Sequence, residues 1–481
     1  MRVLVLNPPS KSTKNVLRDL IYGCWCKGKR IGGAKVPPLN LLYVATVLKE
    51  SGHNVKLLDA LAEQMDLERV TEIIDEYDIV VTSTSTMSFR EDAQILAELK
   101  KCNEELKTII FGSHPTFMPR YALKENSIDI IVRREPEHII RDVIKELGSG
   151  SDGWKSVGGV GYRENRKQVL NEFYPFIENL DCLPFPDRTL LPKNVDYFNP
   201  IIKRIPYTTM MTSRGCPGRC TFCTVPYFYG SKVRSRSAGN VIEELKHLEK
   251  QGYKEVWIRD ETFTYFKERN EKICKAIIDD GIDLTWICNA RVGTVDREMM
   301  ELMKRAGCHM IKFGVESGVQ KILNNVRKGI KIENTRKNFR EVKEVGIDAH
   351  AHIMLGMPGD TKKTIEETIK FVKEIDPTTA TFGICTPYPG TPLFDDVIKK
   401  YPEIMDGSSQ DLQKIHETAF FNQYFTNLDE KELNEYVKKA YRSFYFRPRY
   451  VLKWLGKIRS LDELRRVILA GSNVFGFGIG K

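Results

Sequence analysis

The chain has 481 residues, 41% of them hydrophobic, which is enough for a buried core and excludes a wholly disordered polymer; length alone predicts about three domains. Lysine and arginine outnumber the acids 74 to 64, a modest excess whose place in the chain matters more than its size. No apolar run reaches the ~18 residues of a spanning helix, no export signal is read at the N-terminus, and eleven unevenly spaced cysteines do not form a disulfide framework, so thiols or metal ligands in a reducing, cytoplasmic compartment are expected.

Through residue 147, short apolar runs alternate with helical patterns. Strands are predicted over 2–7, 54–59, 79–85, 108–112 and 129–132, and helices between them, as in 39–51 and 89–102, where apolar residues recur at three- and four-residue steps. Five such units predict an α/β domain with a doubly wound, parallel, flavodoxin-like sheet, whose ligand lies beyond the carboxyl ends of the strands. Those ends carry Asn7-Pro8-Pro9, Thr82-Ser83-Thr84-Ser85 and Gly112-Ser113-His114-Pro115. Residues 148–204 hold a Gly/Ser stretch, a hairpin signal at Gly158-Gly159-Val160-Gly161 and two proline clusters, and are expected to form a linker. Over 205–395 the alternation resumes, with strands predicted at 207–212, 255–259, 284–290, 310–315, 350–356 and 379–386. Six β/α units are short of a closed eight-unit barrel, so a partial (β/α)6 TIM-like barrel is expected, with its site at the strand ends. Residues 396–481 are expected to be helical and basic.

The loop after the first barrel strand reads Arg214-Gly215-Cys216-Pro217-Gly218-Arg219-Cys220-Thr221-Phe222-Cys223. A structural zinc site wants four closed ligands, commonly two C-x-x-C pairs; no second pair exists, and no histidine lies within ten residues. A [4Fe-4S] cluster takes cysteine ligands, and three of them leave one iron open to a small molecule. Cys216, Cys220 and Cys223 are therefore the candidate metal ligands and the catalytic centre.

This string, with Phe222 before its last cysteine, resembles the signature of the radical S-adenosylmethionine (SAM) superfamily, and the resemblance covers about 205–390. It implies that SAM chelates the open iron, that a reducing donor such as flavodoxin or ferredoxin supplies an electron, and that SAM cleavage releases a 5′-deoxyadenosyl radical. It also implies SAM contacts at successive strand ends: Asp260 and Glu261 at the second, Asn289 and Arg291 at the third, Glu316 and Ser317 at the fourth, and Gly356 at the fifth.

The doubly wound domain ahead of the barrel extends the likeness to the cobalamin (B12)-binding radical SAM enzymes. Ser83 and Ser85, Gly112 and His114, and Glu135 and Glu137 stand where that family contacts the nucleotide tail and the corrin edge. Ser113, Arg134 and Pro136 replace glycines of the family pattern. No D-x-H-x-x-G motif is present, so cobalt is expected without a protein histidine on its lower face, covered by the loop 22–33 with Trp25. The other reading of Trp25 is an ordinary buried aromatic, and of His114 either a residue near the corrin or a simple turn residue.

Residues 438–470 hold ten basic and two acidic side chains, and Val451, Trp454, Leu455 and Ile458 share one helical face. Two readings follow: a helix in peripheral contact with an anionic membrane surface, or a helix docked on the barrel with a solvated basic face. No nucleic-acid partner is expected. The implied function is a cobalamin-dependent radical SAM enzyme that methylates an unactivated carbon of a small-molecule or lipid substrate. The alternatives are a B12-assisted radical cyclase acting on a lipid or tetrapyrrole, and a non-enzymatic cobalamin or iron–sulfur sensor.

Overall fold

The computed structural model describes residues 1–11, 34–407 and 422–452, with backbone alone at 13–14, 28–29 and 453–455, together with residue 471. The first sheet begins with β1 (Arg2–Asn7), β2 (Asn54–Asp59), β3 (Ile79–Ser83), β4 (Lys107–Phe111) and β5 (Ile130–Val132), all parallel, in the order β2-β1-β3-β4-β5. The uninterrupted apolar run of β1 reflects burial on both faces. Val3 and Val5 pack with α1 (Leu39–Glu50), while Leu4 and Leu6 face α2 (Phe89–Cys102). Chain order reverses between β1 and β3, which places the ligand crevice beyond Asn7 and Ser83.

The hairpin read as part of a linker belongs to this sheet. Strands β6 (Val160–Glu164) and β7 (Lys167–Leu170) add antiparallel to β5, making seven strands. Gly161 permits it, because a Cβ there would stand 2.8 Å from Ile131 and 2.7 Å from Leu170. Before them, α3 (Pro136–Gly148) covers the same face as α1.

The second sheet is the expected open barrel: β8 (Tyr207–Met210), β9 (Glu255–Ile258), β10 (Thr285–Ala290), β11 (Cys308–Glu316), β12 (Asp348–Leu355) and β13 (Thr379–Ile384), parallel and in sequence order. Val256, Ile258, Cys288, Ile311, Phe313, Ala349 and Ala351 face the helical layer. By the two-residue alternation of a strand, Trp257, Asn289, Lys312, His350 and His352 then face the barrel interior. Its lower end is plugged by Val36, Ile202, Tyr207, Trp257, Ile287 and Met310.

Helix α5 (Glu430–Tyr445) docks on the free edge of β13, where the Tyr445 hydroxyl accepts from Ala380 N (2.9 Å) and donates to Ala380 O (2.6 Å). This satisfies backbone groups that an edge strand otherwise leaves open. A second helix, Pro448–Leu455, follows α5 with Tyr450 buried and Val451 exposed, and the side chains of Trp454, Leu455 and Ile458 lie outside the described residues. No helix among the described residues is long and apolar enough to cross a membrane.

Candidate functional site

Beyond β8, Ser213 and Arg214 pair antiparallel with Ser235 and Arg234, closing a loop that carries the three cysteines. Gly215 has φ +95°, and its hydrogen lies against the Lys232 carbonyl, where a side chain would collide with backbone. The next residue is tied down as Cys216 N donates to Gly230 O (3.2 Å). Gly218 leaves a cradle: a Cβ built there would stand 3.3 Å from the Cys216 Sγ, 3.8 Å from the Cys220 Sγ and 3.1 Å from an Arg291 nitrogen. Burial pushes the Cys216 and Cys223 thiols up.

Tetrahedral zinc, with Zn–S bonds of about 2.3 Å, would draw its sulfurs to about 3.8 Å of one another. Among the described residues no three His, Cys, Asp or Glu side chains converge in the way a single ion requires. A four-iron cube offers separate irons to separate thiolates; two thiols flank Gly218, the third, Cys223, lies close enough to interact electrostatically with both, and this set fits that group.

The strand-end residues divide into two sets. Around the cysteines stand Glu261, whose charge contributes to raising the Cys216 thiol, and Arg291, whose Nη1 lies 3.9 Å from the Cys220 Sγ. Phe222 packs beside Ile322, Val326 and Met357. Glu316, at the end of β11 with φ +63°, forms a buried ion pair with Lys328 (2.6 Å), and Lys328 also acts electrostatically on Cys220 and Cys223. Lys328 was missed: it follows a short helix, Gln320–Asn325, and nothing in its local pattern marks it as a site residue.

The other set is engaged elsewhere. Asp260, expected to accept from SAM, instead accepts from Thr212 N (2.6 Å), Thr212 Oγ1 (2.5 Å) and Ser213 Oγ (2.6 Å), bracing the entry to the cysteine loop. Asn289 Nδ2 donates to Asp260 O (2.7 Å). Ser317 turns to the helical layer, 3.1 Å from Thr368 Oγ1 on α4 (Lys362–Ile375). Gly356 has φ +74° and is covered by Leu433 of α5 and by Asn422, whose Nδ2 donates to Gly356 O (2.9 Å).

At the cobalamin-domain strand ends, Ser83, Thr84, Ser85, Thr86 and Ser88 form a buried hydroxyl-rich segment. Ser85 Oγ lies 3.2 Å from Ser88 Oγ. Gly112 has φ +123°, which its lack of a Cβ allows. His114 is buried, stacked on Phe89 at 4.1 Å, with Nδ1 at 3.4 Å from Thr86 Oγ1 and no partner at Nε2. This hydroxyl-rich segment at the switch point, where the buried Asp92 carboxylate accepts from Thr84 Oγ1 (2.7 Å), suits the amide- and hydroxyl-bearing tail of cobalamin. Glu135 and Glu137, expected on the corrin side, are instead buried against Arg214 and Arg234 of the barrel domain. Trp25 lies outside the described residues, and of the loop 22–33 only the backbone of 28–29 lies within them.

Known proteins place this geometry. The model of the B12 binding domain matches residues 32–144, and that of the Radical SAM superfamily matches 210–372. The chain is 33% identical over 467 residues to the uncharacterized methyltransferase PH0819 of Pyrococcus horikoshii, covering 94% of each. It is 28% identical to the anaerobic magnesium-protoporphyrin IX monomethyl ester cyclase of Rubrivivax gelatinosus, over 92% of this chain and 79% of that one. Among solved structures, the cobalamin-dependent S-adenosylmethionine radical enzyme OxsB, with aqua-cobalamin and S-adenosylmethionine bound, shares the fold at a TM-score of 0.69 and 18% identity, over 92% of this chain and 70% of that one. The chain belongs to the cobalamin-binding radical SAM enzymes, whose cofactors are a [4Fe-4S] cluster, SAM and cobalamin.

Proposed function

We propose that this enzyme transfers a methyl group to an unactivated carbon of a polar small molecule. The observation that carries the reading is that the cysteine loop is also the loop on which the cobalamin domain rests: Phe117, beyond β4, lies 6.3 Å from Phe228 of the cysteine loop. When bound, the three cofactors supply reductive cleavage of SAM to a carbon-centred radical and a cobalt-borne methyl group.

The residues divide the remaining work. Cys216, Cys220 and Cys223 would hold the cluster, for which Gly218 leaves room. Glu261, beside Cys216, would accept hydrogen bonds from the SAM ammonium. Arg291 and the Lys328–Glu316 pair line the same rim and hold its charge in place. The apolar plug below excludes water from the lower barrel. Asn289, Lys312, His350 and His352 give the interior a polar lining, in which Lys312 stands 4.2 Å over the Trp257 ring. This lining favours a substrate that presents polar groups over a hydrocarbon chain. A one-electron donor of the flavodoxin or ferredoxin class completes the system.

The test is incubation of the reduced protein with SAM. Formation of both 5′-deoxyadenosine and S-adenosylhomocysteine is expected. 5′-Deoxyadenosine alone would favour a radical cyclase, and neither product would leave a sensor.

A further inference from the structure

The base of the cysteine loop is fastened to the neighbouring domain by four buried charges. Arg214 is 1% exposed. Its Nη1 lies 3.0 Å from Glu135 Oε1 and 3.2 Å from Glu137 Oε2, and its Nη2 lies 2.5 Å from Glu137 Oε1. Arg234, directly across the ribbon, places Nη1 at 2.9 Å from Glu135 Oε2 and at 2.7 Å from Ile177 O, while Nη2 donates to Tyr229 O (2.7 Å). Glu135 Oε2 also accepts from Ile177 N (2.9 Å). The two carboxylates precede and open α3, where the helix N-terminus favours negative charge.

Two arginines and two glutamates balance in charge, and the backbone of Ile177 and Tyr229 takes up the remaining bonds of Arg234 and Glu135. Buried ion pairs of this kind add little stability over well-packed apolar groups of the same volume; their best-attested use is to fix register. The two arginines bracket the metal-binding loop, and both glutamates come from the turn after β5, at the ligand-bearing edge of the first sheet.

We infer that Arg214 is a positioning residue: through Glu135 and Glu137, the cobalamin-binding domain sets where the cysteine loop, and hence the cluster, stands relative to the corrin. Arg214 is fully buried, its guanidinium is taken up by Glu135, Glu137 and Met211, and it acts through the loop that it anchors. The inference rests on the reading of Cys216, Cys220 and Cys223 as cluster ligands.

Pulsed dipolar EPR between the reduced cluster and cob(II)alamin in the full-length holoenzyme reads this placement directly and needs no substrate. The wild type is expected to give one narrow distance distribution. Glu137→Gln, which keeps the side-chain shape, is expected to shift or broaden it by on the order of 1 Å or more. Arg214→Lys, which keeps the charge and loses the two-pronged fork, is expected to do the same and serves if the first variant does not fold. A folded variant that keeps cobalamin but loses iron reports the same dependence. An unchanged narrow distribution in a folded variant carrying both cofactors overturns the inference, because loss of a merely stabilising contact would leave the distance intact. Wild-type protein without any cluster signal would instead overturn the cysteine assignment itself.

Discussion

His114 offers a quantitative handle on the cobalamin-domain edge. It is buried, sandwiched between the Phe89 face and the edge of Tyr121, and burial alone pushes its imidazole from the ordinary 6.5 down to about 3. Folded protein therefore keeps this ring neutral at a pH where the unfolded chain protonates it. Stability is full above pH 6.5 and is lost as pH falls below that value toward 3. At pH 5 the pH lies 1.5 below the unfolded value, and at about 1.4 kcal/mol per pH unit the loss from this group is about 2 kcal/mol. Burial also lowers other histidines, among them His53, His138, His350 and His352, so a single titration would mix them. The informative quantity is a difference: urea unfolding of the N-terminal sheet at pH 7 and pH 5, wild type against His114→Leu. The variant is expected to lose about 2 kcal/mol less between the two pH values than the wild type. Equal losses in both proteins would refute a walled-in neutral ring. They would also reopen His114 as a residue exposed to the corrin.

Four further outcomes are expected. Gly218→Ala places a methyl among Cys216, Cys220 and Arg291, so iron loading should fall while the far-UV circular dichroism and melting of the barrel stay near wild type; normal iron content would show that the cradle is not where the metal sits. Gly390 has φ +84° and lies against the Phe117 ring; Gly390→Ala should cost about 1–3 kcal/mol by crowding and strain, and adding Phe117→Ala should return part of that loss in denaturant midpoints. Glu244 is fully buried between Arg188 (2.6 Å) and Arg236, so Glu244→Gln should cost about 3–5 kcal/mol by stranding two cations, and a change under about 1 kcal/mol would contradict that pairing. Asp260→Asn should impair the folding of the cysteine loop and iron loading together, whereas Glu261→Gln should weaken SAM binding with iron intact, as read by iron assay and equilibrium dialysis.

Much of the architecture was legible because it rests on short-range patterns. The Val-Leu repeats of β1, the helical spacing of 89–102 and the three cysteines behind a first strand each carry their meaning locally. What was not legible depends on which way a strand-end side chain points. Asp260 and Glu261 are adjacent and equally acidic, yet one braces the Thr212–Ser213 backbone and the other faces Cys216; only the register of β9 against β8 separates them. Ser317 follows Glu316 by one residue and so turns to the helical layer, as alternation requires once the end of β11 is fixed. Glu135 and Glu137 sit at a ligand-bearing edge in sequence, but their partners Arg214 and Arg234 are some eighty and a hundred residues away, beyond the reach of any local pattern. Lys328 escaped for the same reason, since its meaning lies in a contact with Glu316 across a loop and helix. The hairpin β6–β7 is legible in its glycines, but its docking on β5 depends on the space that Gly161 leaves.

The measurement that bears most directly on the whole account is Mössbauer and EPR spectroscopy of anaerobically purified protein, before and after SAM is added. A four-iron cluster whose reduced EPR signal changes when SAM binds, and which disappears in Cys220→Ala, is the expected result. Zinc bound by the three thiols, or a cluster whose spectrum is indifferent to SAM, would contradict it.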